Sequence, residues 1–163
     1  MKKMMVLILS ISVISMFSWH ANAESANEVT PAQSEKHAAS AVQYRQALLR
    51  LVKSNVGALG AMAKDRIPMD AHTIERNALR IEQLSLMMDD YFAVDTREFT
   101  LETEALPKIW QNYNDFQSKI EALTQAASNL KNAAQQNKDG TYKANIGQLL
   151  KSCKGCHDNY KAE

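Results

Sequence analysis

Glycine and proline are scarce in this chain, with five and three among 163 residues. That excludes a collagenous or low-complexity chain and disfavours a turn-dense all-β fold. Cysteine is scarcer still, at two; a lone pair in a chain this long is read for chemistry before being read as a staple. Neither charge sign prevails: the formal net charge is +1, so nothing points to nucleic acid as a partner. Long apolar runs are also missing, since the longest, residues 4–17, falls short of the ~20 needed to span a bilayer. What is present is 45% hydrophobic and 23% charged residues, with many Ala, Leu, Lys, Gln and Asn. This composition suits one ordinary helical domain that is not membrane-embedded.

Residues 1–23 read as a secretory signal peptide. Lys2 and Lys3 supply the positive start, residues 4–17 the apolar stretch, and Ala21-Asn22-Ala23 an A-x-A cleavage site, with cleavage after Ala23. Removing that leader leaves 140 residues with 17 basic and 18 acidic side chains, a net charge of −1. The short two-lysine leader has a bacterial form, which makes the periplasm the expected compartment. Residues 24–37, rich in Glu, Ser, Asn and Gln, read as a flexible polar N-terminus. Residues 38–163 are left as the folded unit.

From Ala38 the apolar residues recur at three- and four-residue steps. Arg45, Leu49, Val52, Val56, Leu59 and Ala63 mark a first helix, and residues 65–69, containing Pro68, stop it. Asp70 can cap a second helix carrying Ile74, Ala78, Ile81, Leu84, Met88 and Tyr91. Residues 93–103 lack the period and read as a connection. Thr103 or Glu104 then opens a third helix, with Pro107 tolerated in its first turn and a stripe of Ile109, Tyr113, Phe116, Ile120, Leu123, Ala127 and Leu130. Lys138-Asp139-Gly140 breaks it, and a last helix runs from about Tyr142 to Tyr160. No segment alternates convincingly, so no sheet is expected. The predicted class is all-α, an antiparallel up-down-up-down four-helix bundle. That order brings the start of helix one, the end of two, the start of three and the end of four to one end of the bundle.

Both cysteines lie in Cys153-Lys154-Gly155-Cys156-His157. C-x-x-C-H is the attachment signature of c-type haem: two thiols add to vinyl groups, and the adjacent His becomes an iron ligand. A small disulfide is the bland alternative in an exported chain. A thioredoxin-like pair expects a βαβ setting that is missing, and zinc expects a second pair of ligands that the sequence does not hold. The pattern therefore predicts one covalent haem c on Cys153 and Cys156, with His157 as axial ligand.

Only six residues follow His157, so a sixth iron ligand would have to come from upstream. Met62 lies 17 residues beyond Arg45, about 25 Å along a helix, and with Met69 and His72 belongs to the opposite end. His37 sits in the polar terminus. Met87 and Met88 are at the haem end, where an apolar wall is their commoner role. Leu48, Leu49 and Val52 of helix one cannot ligate iron. Five-coordinate, high-spin iron with an apolar distal face follows as the expectation; a low-spin, six-coordinate protein acting purely in electron transfer is the alternative.

Other candidates have bland readings beside the functional one. Arg45 could pair with a haem propionate, although an Arg in an early helical turn is more often solvated. Trp110 reads as core. Lys151, Lys154 and Lys161 could steer an acidic partner, but suit a solvated helix end better.

Taken together, residues 42–160 resemble cytochrome c′, the class II c-type cytochromes. The resemblance rests on Tyr44-Arg45-Gln46, Pro107-Lys108-Ile109-Trp110, Phe116 and the run from Cys153 through His157 to Tyr160. It implies a periplasmic four-helix bundle, commonly a homodimer, whose high-spin haem c binds NO and CO. Carried over by position, Cys153 and Cys156 anchor the haem and His157 is the proximal ligand. Arg45, Gln46 and Glu104 match haem-contacting positions, and Leu49 matches the residue covering the vacant iron face. The low-spin branch carries Met near the Leu49 position, which this chain does not. Several members have Arg four residues after the axial His; here that position is Lys161.

Two functions follow as expectations: gas binding, with NO and CO favoured over O₂ because an apolar distal face offers no hydrogen bond, and electron exchange with a redox partner protein. An enzyme is not expected, because the motif places no titratable side chain over the distal face.

Overall fold

A computed structural model describes residues 28–162; the leader expected over residues 1–23 lies outside them. The order is β1 (Thr30–Pro31), α1 (Glu35–Ala63), α2 (Ala71–Leu86), α3 (Met88–Phe92), β2 (Val94–Asp95), α4 (Lys108–Gln111), α5 (Tyr113–Gln135), a 3₁₀ turn (Asp139–Thr141) and α6 (Tyr142–Tyr160). Four long rods, α1, α2 with α3, α5 and α6, form the expected bundle. α2 packs on α5, α5 on α6 and α1 on α2, whereas α1 touches α6 only sparsely. The period-3.6 stripes are the core: Leu59, Ile74, Ala78, Ile81, Ala127, Leu130, Ile146 and Leu149 have no exposed surface.

Local chemistry explains most boundaries. Asp70 caps α2 by accepting from the Thr73 N–H at 2.7 Å. Among the described residues the positive φ values fall on Asp65 and Asn137, in the turns that follow α1 and α5. Both are residue types that tolerate the left-handed region.

Three expectations need correction. Residues 28–37 are not frayed from end to end: Ala32 is buried, Ser34 caps α1, and the helix begins at Glu35 rather than Ala38. The acceptor is the Ser34 hydroxyl, bonded by the His37 N–H at 3.2 Å. A sheet exists, although it is only a two-residue parallel pair, Thr30 beside Val94 and Pro31 beside Asp95. Two residues are too few for an alternation to register. Finally, helix three does not open at Thr103 or Glu104. Residues 101–107 are non-helical because they pair with the C-terminus: the Leu106 N–H donates to the Tyr160 carbonyl at 3.0 Å and the Ala162 N–H to the Glu104 carbonyl at 2.8 Å. Helix resumes at Lys108, after Pro107, and is interrupted at Asn112, where φ is −133°.

Candidate functional site

α6 carries Cys153, Cys156 and His157 at spacings of three and four, which places all three on one helix face. That face meets the gap left where α1 stands off from α6. The gap is a cavity of about 1070 Å³, at the upper limit for cofactor and small-molecule sites. Cys153, Cys156 and His157 line it from α6; Leu49, Val52 and Val56 from α1; Met88 and Phe92 from α3; Phe116, Ile120 and Leu123 from α5. These walls are apolar, with one imidazole and two thiols on one side, and charged and polar residues, Arg45, Gln46, Lys53, Glu104, Lys119 and Lys161 among them, complete the lining.

The thiols are unpaired and half-buried. Burial pushes the Cys153 thiol up, and pushes Cys156 up to about 11. Both are neutral thiols at physiological pH. A redox-active C-x-x-C pair needs the opposite shift, a stabilised thiolate, so the local environment disfavours dithiol exchange and leaves the thiols free for addition to vinyl groups. Among the described residues no cluster of three or more His, Cys, Asp or Glu could hold a bare metal ion. The residues present fit a large planar apolar group with one histidine for its iron: the cavity has the volume, the lining has the polarity, and the three attachment atoms share a face.

Arg45 lines the same cavity but is not solvated. It is 3% exposed, with Nε donating to the Tyr91 carbonyl at 2.8 Å, Nη1 to Thr96 Oγ1 at 3.2 Å and Nη2 to the Val94 carbonyl. Its guanidinium lies 5.2 Å from the Phe92 ring centroid and 5.0 Å from that of Trp110. Burial lowers its pKa to about 10, against smaller opposing effects of Asp95 and Tyr113; it remains charged at neutral pH. Three of five guanidinium N–H groups are thus engaged within the described residues, and two remain for an anion in the cavity.

Gln46 donates from Nε2 to the Glu102 carbonyl at 3.2 Å, tying α1 to the 101–107 segment. Glu104 is exposed, lines the cavity mouth and pairs with Lys161 at 3.1 Å. Lys154 pairs with Asp158 one turn on, in keeping with a solvated helix end. Trp110 is core, its Nε1 donating to the Phe92 carbonyl at 2.8 Å. Met88 lines the cavity; Met87 is turned outward and Met62 is buried at the other end.

The sequence reading missed several wall residues. Ile120 and Leu123 were visible as part of the α5 stripe, but nothing distinguished a cavity wall from ordinary core. Tyr160 also lines the cavity, its ring edge-on to Phe116 at 5.2 Å and its hydroxyl donating to Asp115 at 2.5 Å. The oxygen acceptors that hold Arg45 carry little signal in the sequence, because two of the three, at Tyr91 and Val94, are backbone carbonyls.

The sequence model of the family described as Cytochrome C' matches residues 40–161. The cytochrome c' of Rubrivivax gelatinosus is 30% identical over 121 residues, covering 74% of this chain and 93% of the relative. Among solved structures, the cytochrome c prime of Shewanella frigidimarina superposes with a TM-score of 0.71 at 38% identity, covering 77% of this chain and 97% of that one. A nitric oxide complex of a variant cytochrome c prime from Alcaligenes xylosoxidans gives 0.68 at 29% identity, covering 77% and 96%.

Proposed function

Starting from the premise that the chain belongs to the cytochrome c′ family and carries haem c on Cys153 and Cys156, we propose that it is a periplasmic, gas-binding haem protein with five-coordinate, high-spin iron. When bound, haem c supplies an iron that changes between ferric and ferrous states and takes small diatomic ligands. His157 is the residue proposed to hold it from the α6 side. The observation that carries the reading is the opposite wall: Leu49, Val52 and Val56 of α1 offer neither an iron ligand nor a hydrogen-bond donor.

Leu49 then acts as a gate. It is 39% exposed at the cavity wall, so a diatomic molecule enters by displacing it rather than by breaking a packed core. These three aliphatic side chains give no hydrogen bond to a polar O₂ adduct, which leaves NO and CO; the donors that α1 also brings to the cavity, Arg45 and Gln46 among them, are proposed for its propionate edge. A solved relative described as a nitric oxide complex supports the same choice of ligand. Arg45 offers its two remaining N–H groups to a haem propionate, and Gln46 and Glu104 hold the adjoining rim. Export by residues 1–23 would supply the compartment. Pairing of two copies is supported by Tyr44 and Leu51 on α1 and Leu79 and Leu86 on α2, which are exposed and seven residues apart on each helix.

The test is addition of CO and NO to the reduced protein, followed by absorbance. Binding of both is the expected result; a protein that takes up neither gas overturns the reading. Met88 favours a second reading, since its thioether lines the cavity: a six-coordinate iron serving electron transfer alone. Met88→Leu would then convert the spectrum, whereas the gas-binding reading expects no change in spin state.

A further inference from the structure

Residues 91–96 are held at every step. The Tyr91 carbonyl accepts from Arg45 Nε, the Phe92 carbonyl from Trp110 Nε1, and the Val94 carbonyl and Thr96 Oγ1 from the two Arg45 Nη atoms. The carbonyls of 93 and 95 face the other way. The Ala93 carbonyl accepts from the Thr30 N–H at 2.9 Å, and the Asp95 carbonyl from the Ala32 N–H at 2.8 Å. In extended backbone, successive carbonyls point to opposite sides. Fixing 93 and 95 outward on β1 therefore aims 94 inward at the guanidinium. Ala32 is buried and Val29 packs against the core, so β1 is anchored by apolar contact as well as by hydrogen bonds. These residues precede the stretch matched by the family, which begins at residue 40.

We propose that residues 29–32 form a positioning strap for the haem cavity, acting through the 93–95 backbone to hold the Arg45 guanidinium at the cavity wall. The inference rests on the haem-binding reading above. Arg45 is a buried cation whose partners in the structure are neutral oxygens and two aromatic rings, so no carboxylate of the chain cancels its charge at contact distance, and the anion it is proposed to meet belongs to the haem itself. A cation held beside the cofactor favours the more electron-rich, ferrous state. If the strap is lost, the Ala93 and Asp95 peptides are free to rotate, the Val94 carbonyl leaves Arg45, and the charge moves outward.

The test uses the haem-loaded protein with residues 28–32 deleted, in the native and Arg45→Lys backgrounds. Two quantities are measured: the ferric/ferrous midpoint and the exchange rate of the Trp110 indole N–H, which reports on its bond to the 92 carbonyl. The deletion is expected to move the equilibrium roughly threefold or more toward ferric, the size expected for shifting one charge by several ångströms at a partly buried site, and to speed Trp110 exchange. With Lys at 45 it should leave the midpoint nearly unchanged. Equal shifts in both backgrounds, or lost stability at an unchanged midpoint, would overturn the proposal. Should the deletion prevent folding, Thr30→Pro and Ala32→Pro each remove one donor and should give smaller shifts in the same direction; folded variants with the native midpoint would overturn it too. Absence of covalent haem in the native protein would instead contradict the haem reading itself, so the two failures are distinguishable.

Discussion

The two ends of the bundle are built differently. At one end Leu59, Ile74, Leu130 and Ile146 are fully enclosed and Met62 is 2% exposed; the chain fills that space with its own side chains. At the other end α1 stands away from α6, the two thiols are only half-buried, and an opening of about 1070 Å³ lies between apolar walls. A gap of that size is costly for a protein to leave. The closed end supplies stability without help, and the open end completes its core with the cofactor. Function sits where the packing stops.

The largest test of this contrast removes the cofactor's anchors. Cys153→Ala with Cys156→Ala should abolish covalent haem, as read by haem staining on a denaturing gel. Hydrogen-exchange protection should then fall around residues 45–53 and 150–157 while persisting around 74–81 and 127–134. Uniform loss along all four helices would show that the closed end does not stand alone.

Cavity formation at the closed end comes next. Leu130→Ala should lower unfolding free energy by about 2–5 kcal/mol, measured by urea denaturation; a cost below that range would mean the end is less tightly filled than its burial indicates. Beside the cavity, where Trp110 backs Arg45, Trp110→Phe should cost about 1–3 kcal/mol, because it leaves the buried Phe92 carbonyl without its donor.

At the open end the same kind of truncation should act on rate instead. Leu49→Ala should change stability little, and it should speed CO association roughly tenfold, equivalent to about 1.4 kcal/mol of barrier. A stopped-flow rate equal to that of the native protein would remove Leu49 from its gating role.

The smallest expected effect lies at Asp95, on the strand that pairs with the strap. Burial pushes the Asp95 carboxyl up, but hydrogen bonds from the Arg97 side chain and backbone, with the charges of Arg97 and Arg45, outweigh it and hold it below its ordinary value of 3.8. A carboxyl lowered on folding contributes stability above its unfolded value and loses it as pH falls through the folded one. Asp95→Asn should therefore flatten the acid limb of stability below about pH 4, seen as a urea midpoint that falls less steeply with acid. An unchanged limb would show that this pair, exposed on its Arg97 side, contributes nothing measurable.

Much of this contrast is legible in the amino-acid sequence. The stripes through Ile74, Leu130 and Ile146 fixed four amphipathic helices, because burial follows the helical period. Cys153, Cys156 and His157 declared the chemistry, because thioether attachment requires that spacing. The departures share a physical cause. Residues 101–107 lose their helix to pairing with Tyr160 and Ala162, partners more than fifty residues away. The strap at Thr30 and Pro31 is too short to carry a pattern. Arg45 was readable as a candidate partner for a haem propionate, but its clamp consists largely of backbone carbonyls, which every residue possesses. Side-chain periodicity reports which face is buried; it is silent about backbone atoms recruited across the fold.

The central claim is an iron with one protein ligand and an open apolar face. The absorption spectrum of the reduced protein tests it most directly. A broad, split Soret band without a sharp α-band is the predicted result, as five-coordinate, high-spin iron requires. A sharp low-spin α-band would contradict the account and place a second protein ligand, with Met88 foremost, on the face assigned to gas.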